Sequence, residues 1–205
     1  MRQGAVLSPV LFSLYINDLI ELLRNTGIGC HIGSIYFGIV AYADDILLLA
    51  PRRDALQRMV NISEQFMNDH KISFSATKTK CLYFGANKEM VKGIEVAGKV
   101  MCWSRQAVHL GIIISDDGTT EEDVKFKRAL FIEECHNLLY EFGRHHPEVQ
   151  VKLVSLYNSS FYGSNTWNLY GECVRRLLVS WNVNLKQIWK LPHQTHRYFF
   201  EKPQH

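Results

Sequence analysis

Two apolar runs of four residues, Ile39-Val40-Ala41-Tyr42 and Ile46-Leu47-Leu48-Leu49, enclose Ala43-Asp44-Asp45. This stretch restricts the fold more than any other in the chain. Each run is too short for a helix of its own, and a polar connection between two such runs supplies a turn. The pattern predicts a buried β-hairpin with both acids at its turn.

Around the hairpin the chain reads as a mixture of helices and short strands. Ser8-Pro9 opens a helix, with Ser8 as the cap and Pro9 at the first helical position, where its missing N–H is harmless. Leu11, Leu14, Tyr15, Leu19, Leu22 and Leu23 recur at helical spacing, and Asn25 to Gly29 supply the stop. Asp54 starts a second helix with an apolar stripe of Leu56, Met59, Val60, Ile62, Phe66 and Met67. Strand signals follow at 81–84, 94–96, 100–103 and 110–114, the middle two joined across Ala97-Gly98-Lys99. Asp117-Gly118 is a turn, and Thr120 with Asp123 three residues on resembles a capping box for a long helix to about Phe142. Two further helices are expected at roughly 148–170 and 173–190. The fold class is therefore α+β, with strands and helices over 1–115 and a helical unit over 116–205.

Composition supports a folded chain. Of 205 residues, 47% are hydrophobic and 21% charged, which allows a core and excludes global disorder. No apolar stretch approaches the ~18 residues of a membrane span, and the N-terminus does not read as a secretory signal. Five scattered cysteines with no metal-binding spacing point to free thiols in a reducing, intracellular setting. Charge is uneven. Residues 1–142 hold 15 Lys and Arg against 17 acids, whereas residues 143–205 hold 8 against 3, with five of the nine histidines. A basic last third suits a polyanionic partner and equally a solvated helical face.

The acid pair calls for explanation. Adjacent aspartates in an apolar hairpin lose solvation and repel one another unless a cation or donor compensates. Mg²⁺ suits such a pair, because it takes oxygen ligands and is held by one or two carboxylates plus substrate phosphates. An exposed turn, which aspartate also favours, is the alternative.

Tyr42-Ala43-Asp44-Asp45 resembles the Tyr-x-Asp-Asp box of reverse transcriptases. Arg2-Gln3-Gly4 through Leu7-Ser8-Pro9 to Leu11-Phe12 is similar to the Arg-Gln-Gly…Leu-Ser-Pro…Leu-Phe segment of the same family. Phe74 to Lys80 is similar to its lysine-bearing segment, and His109-Leu110-Gly111 to its primer-grip turn. The four blocks occur in the family's order. Trp181-Asn182 and Ile188 through Arg197 further resemble the thumb-end segment of non-LTR, LINE-type retrotransposon enzymes.

The resemblance implies a partial polymerase palm over 1–115, with an antiparallel sheet and helices, followed by a helical connection and thumb. It implies RNA-directed DNA synthesis from a primer 3′-hydroxyl, with an RNA template, a DNA primer and dNTP as partners and Mg²⁺, or Mn²⁺, as cofactor. Asp44 would be a direct metal ligand and Asp45 a weaker one, while Tyr42 and Ala43 would line the floor under the primer terminus. Arg2, Gln3 and Gly4 would lie near the templating base and incoming nucleotide. Lys78 would reach the triphosphate, and Gly111 would allow the tight turn that presses on the primer backbone. In plainer terms Gly4 is a loop glycine, Lys78 a solvated lysine, and Trp167, Trp181 and Trp189 core residues. His193, His196 and Arg197 are candidates for phosphate contacts or ordinary surface residues.

In the family another catalytic aspartate comes from a strand before the Arg-Gln-Gly segment, and this chain starts at Met1, directly ahead of Arg2. The expectation is a truncated fragment with negligible polymerase activity by itself. The alternative is a non-catalytic nucleic-acid-binding remnant.

Overall fold

The computed structural model describes residues 8–72, 75–86, 88–157 and 161–195, with side chains throughout except at 8–11 and 157. The chain divides into two compact units, Met1–Ala107 and Val108–His205. The expected boundary at 115/116 falls eight residues later, so the division runs through the 106–115 hairpin.

The first unit begins with α1 (Ser8–Asn25), followed by β1 (His31–Ile32), β2 (Ile35–Tyr36), β3 (Ile39–Tyr42) and β4 (Asp45–Leu48). Then come α2 (Arg53–Asp69), β5 (Cys81–Leu82), β6 (Ile94–Val96), β7 (Lys99–Met101) and β8 (Trp103–Ser104). The strands form separate two-stranded pieces. β1–β2, β3–β4 and β6–β7 are antiparallel, whereas β5 pairs with β8 in parallel.

α1 buries Ile16, Leu19 and Leu23, with Phe12 and Ile20 packed beside them. Of the anticipated stripe, Leu19 and Leu23 are buried, whereas Leu14, Tyr15 and Leu22 are exposed. This helix is apolar on two faces, and the Phe12-Ile16-Leu19-Leu23 row is the one packed with Ile39, Met59 and Met67. α2 carries its predicted stripe inward at Met59, Val60 and Met67, adding Ala55 and Ser63. Val60 continues into a second cluster with Cys81, Ile94 and Val96. α2 is also locked to β6 by the Gln57 amide. Its Nε2 donates to the Glu95 carbonyl at 2.9 Å, and its Oε1 accepts from the Glu95 N–H at 2.8 Å.

β9 (Gln106–His109) and β10 (Ile112–Ser115) form a further two-stranded piece. The strand anticipated from Leu110 begins only at Ile112, because Leu110 (φ 48°) and Gly111 (φ 74°) are the two turn residues. Positive φ at both central positions fits the right-handed twist of a two-residue hairpin.

The second unit is completed by α3 (Glu121–Phe142), α4 (Pro147–Tyr157) and α5 (Glu172–Ile188). The helix anticipated over 148–170 is not continuous: α4 is described as far as Tyr157, and the pattern is broken by Gly163. Gly163 adopts φ 83°, which no right-handed helix can pass through, and a short 3-10 turn at Ser164–Thr166 follows. The three helices enclose Val124, Phe131, Cys135, Val154, Trp167, Val174, Leu177 and Ile188. Trp167 is thus a core residue, and Trp181 stacks on Phe131 with ring centroids 5.2 Å apart, whereas Trp189 lies outside the core and is partly exposed. α5 starts with Glu172, whose carboxyl Arg175 and Arg176 hold down to about 2.

Candidate active site

The acid pair sits where the turn chemistry puts it. Tyr42 pairs with Asp45 and Val40 with Leu47, leaving Ala43-Asp44 as the two-residue connection. Alternation then sorts the side chains by face. Ile39, Ala41, Ile46 and Leu48 pack into the α1–α2 core, and Val40, Tyr42, Asp45 and Leu47 occupy the opposite face. Tyr42 is 66% exposed, and Ala43, Asp44 and Asp45 are exposed as well.

The hairpin is therefore not buried as anticipated. Among the described residues it pairs with no third strand, so its outer face and both carboxylates meet solvent. Desolvation accordingly does not compel a cation at this turn. The geometry instead offers two adjacent oxygen-donor groups on a projecting tip.

Ala43 holds φ 50°, a left-handed conformation that costs an L-residue about 1–2 kcal/mol. Glycine adopts it freely but loses more backbone entropy on folding, about 0.5–1 kcal/mol. Ala43→Gly should therefore stabilise the first unit by about 0.5–1 kcal/mol in urea unfolding. A loss of stability would show that the turn is not strained at this position.

The other expected site residues are less concentrated. Lys78 lies in the turn segment before β5, exposed, with its backbone N–H donating to the Ser75 carbonyl. Among the described residues no hydrogen bond or ion pair links its ammonium to Asp44 or Asp45. Arg2, Gln3 and Gly4 lie outside the described residues, as do Phe74, His196 and Arg197. His193 is described, and its carbonyl accepts from Lys186 Nζ at 2.7 Å. Neither the acid pair nor any other part of the described residues gathers three or more His, Cys, Asp or Glu side chains in reach of one metal ion.

Gly111 belongs to the second unit and has the better-defined surroundings. Lys127 Nζ, on α3, donates to the Gly111 carbonyl at 3.1 Å and to the Tyr162 carbonyl at 2.7 Å. One helical turn earlier, Asp123 Oδ1 accepts from the Ile113 N–H at 3.0 Å and Oδ2 from the Trp167 indole N–H at 2.7 Å. Both charged side chains are buried, Asp123 completely.

Asp123 does not close a capping box. Thr120 is the N-cap, but its side chain makes no capping hydrogen bond, and the Asp123 carboxyl is turned inward to tertiary partners. Lys127 is the residue that sequence reasoning missed. Its signal was position, since it occupies the core period of Val124, Phe131 and Cys135, where lysine is tolerated only with partners.

The family model described as reverse transcriptase (RNA-dependent DNA polymerase) matches residues 1–114, more than half of the chain and inclusive of the acid hairpin and Gly111. The chain belongs to the reverse transcriptase family. A stretch of 78 residues, 38% of the chain, is 32% identical to a Drosophila melanogaster protein, the retrovirus-related Pol polyprotein from the type-2 retrotransposable element R2DM. The matched stretch spans 7% of that relative's length. No solved structure matches the chain. The similarity to a retrotransposon Pol protein agrees with the non-LTR character read from the thumb-end motif. The α+β class of the family member is observed directly. Among the described residues no helix is long and apolar enough to cross a membrane.

Proposed function

We propose that this reverse transcriptase chain supplies part of the catalytic centre of an RNA-directed DNA polymerase, with its first unit acting as palm and its second as a thumb-like clamp. One observation carries the reading: the adjacent carboxylates of Asp44 and Asp45 stand on an exposed hairpin tip in a member of this family.

The donor set suits Mg²⁺ or Mn²⁺, since both are oxygen seekers held by one or two carboxylates together with substrate phosphates. Asp44 would be the principal ligand and Asp45 the second. When bound, the metal would offset charge on the primer hydroxyl and on the departing pyrophosphate. The exposed ring of Tyr42 and the turn at Ala43 would floor the primer terminus. Lys78, free in solvent, would meet the triphosphate, where an ammonium favours the charge that develops on bond cleavage. Arg2, Gln3 and Gly4 would face the templating base and nucleotide. The Leu110-Gly111 turn would bear on the primer backbone.

Two carboxylates alone hold such a metal weakly, and two-metal transfer calls for more ligands than this turn provides. The chain by itself is therefore assigned metal and nucleic-acid binding without appreciable polymerisation. The test is Mn²⁺ titration followed by paramagnetic broadening of amide signals. Residues 42–46 should broaden first, and Asp44→Asn with Asp45→Asn should abolish the effect. Broadening that survives the double substitution would sink the metal assignment. Labelled dTTP incorporation on an RNA template, lost in Asp44→Asn, would sink the claim that the chain alone lacks the chemistry.

A second reading, nucleic-acid binding without catalysis, draws on the excess of 8 basic over 3 acidic residues in 143–205. It requires affinity for an RNA–DNA hybrid that falls with salt yet is indifferent to chelator and to the aspartate substitutions.

A further inference from the structure

We propose that Lys127 and Asp123, one turn apart on α3, are positioning residues that fix how the Leu110-Gly111 turn is presented to a nucleic-acid strand. The inference rests on the reading of that turn as primer-facing and names what holds it there.

A two-residue hairpin turn is free to flex about its strands unless something outside the ladder restrains it. Here the restraint is two-sided. The Lys127 ammonium takes the carbonyl of Gly111 itself, and the Asp123 carboxyl takes the N–H of Ile113, two residues on. Both bonds involve a charged group away from solvent, where such bonds are strong and an unpaired group is costly. Each side chain also has a second anchor in the 161–167 segment, Tyr162 carbonyl for Lys127 and the Trp167 indole for Asp123. Lys127 further lies 5.6 Å from the centroid of the Tyr162 ring. Hairpin turn, helix and 161–167 segment are therefore tied at a single point. Rotating the turn would break bonds at both residues at once. The backbone of Gly111 gains a defined orientation, and an added Cβ there would find only ordinary contact with Tyr162, so the glycine answers to its φ of 74° and not to crowding. Orientation of a contact surface to within about 1 Å matters for reactive geometry, whereas affinity for a strand is spread over many phosphate contacts.

The two quantities can be separated. A photo-crosslinking benzoylphenylalanine at the exposed Val108, in the strand leading to the turn, reports which primer nucleotides lie nearby. With a labelled DNA primer on an RNA template, crosslinks should concentrate on the terminal nucleotides. In Lys127→Met they should fall about tenfold there and scatter along the primer, with affinity little changed. Lys127→Arg, which keeps two donors, should restore the terminal pattern. Absence of primer crosslinks in the unsubstituted chain overturns the primer-facing reading and this inference with it. The same terminal pattern in Lys127→Met overturns the positioning role alone. Should Lys127→Met not fold, Lys127→Gln takes its place, and amide exchange on the unsubstituted chain decides independently: rapid exchange at the Ile113 N–H would show that the clasp is not closed.

Discussion

Phe131→Ala is expected to cost the second unit about 3–5 kcal/mol, the range for truncating a fully buried aromatic side chain. Phe131 is 1% exposed at the centre of the helical core. Its ring stacks on Trp181 at 5.2 Å and lies 5.8 Å from Phe161, and Trp167 in turn meets Phe161 edge-on at 6.1 Å. Alanine would remove the ring around which these three are arranged, and three helices converge too rigidly to close the gap. Against a total of about 5–15 kcal/mol for a domain, the loss brings the unit close to unfolding. Tryptophan emission against urea would show it, because Trp167, Trp181 and Trp189 all lie in this unit and only Trp103 in the other. The first unit has its own core on α1, β3 and α2, so amide protection of Leu19 and Met59 should persist. An unchanged urea midpoint would refute the assignment of Phe131 to the core, and simultaneous loss of protection at Leu19 and Met59 would refute the independence of the two cores.

How much of this was legible in the residues depended on the range of the interactions responsible. The acid hairpin was legible because its signal is local: two four-residue apolar runs joined by a short connection bearing two acids specify a hairpin without reference to anything distant. Its solvent exposure was not. Apolar runs suggest burial on both faces, but only the Ile39, Ala41, Ile46 and Leu48 face has a partner here. α1 shows the same limit, since Leu14 and Leu22 are as apolar as Leu19 and only packing against α2 and β3 decides which row turns inward. The break at Gly163 was under-read because a glycine inside a helical pattern is usually tolerated, and its φ of 83° emerges only with the 161–167 segment in place. Asp123 is the clearest failure. Three residues after a threonine an acid fits a local cap, yet its partners are Ile113, ten residues back, and Trp167, forty-four ahead. The family motifs located Asp44, Asp45 and Gly111 but contain nothing about what steadies them.

Asp123→Ala should destabilise the second unit by about 3 kcal/mol, more than loss of its few side-chain atoms would suggest. The substitution strands two donors in a dry interior, the Ile113 N–H and the Trp167 indole N–H, and each orphaned buried donor costs about 1–3 kcal/mol. The sign of the effect can be checked by deleting the other partner. Trp167→Phe removes the indole donor together with part of the ring, so it should cost about 1–2 kcal/mol, since one acceptor oxygen is left without its partner while Ile113 still holds the other. Once Asp123 is alanine, the indole N–H is a liability, and its removal should be cheaper than in the intact chain. The double substitution should therefore cost less than the sum of the singles by about 1 kcal/mol or more, as contacting residues in a shared network do. Costs additive to within about 0.5 kcal/mol would mean that the Asp123–Trp167 hydrogen bond contributes nothing to the fold. In that case Asp123 would steady the turn at Gly111 through its bond to the Ile113 N–H alone, beside the Lys127 bond to the Gly111 carbonyl.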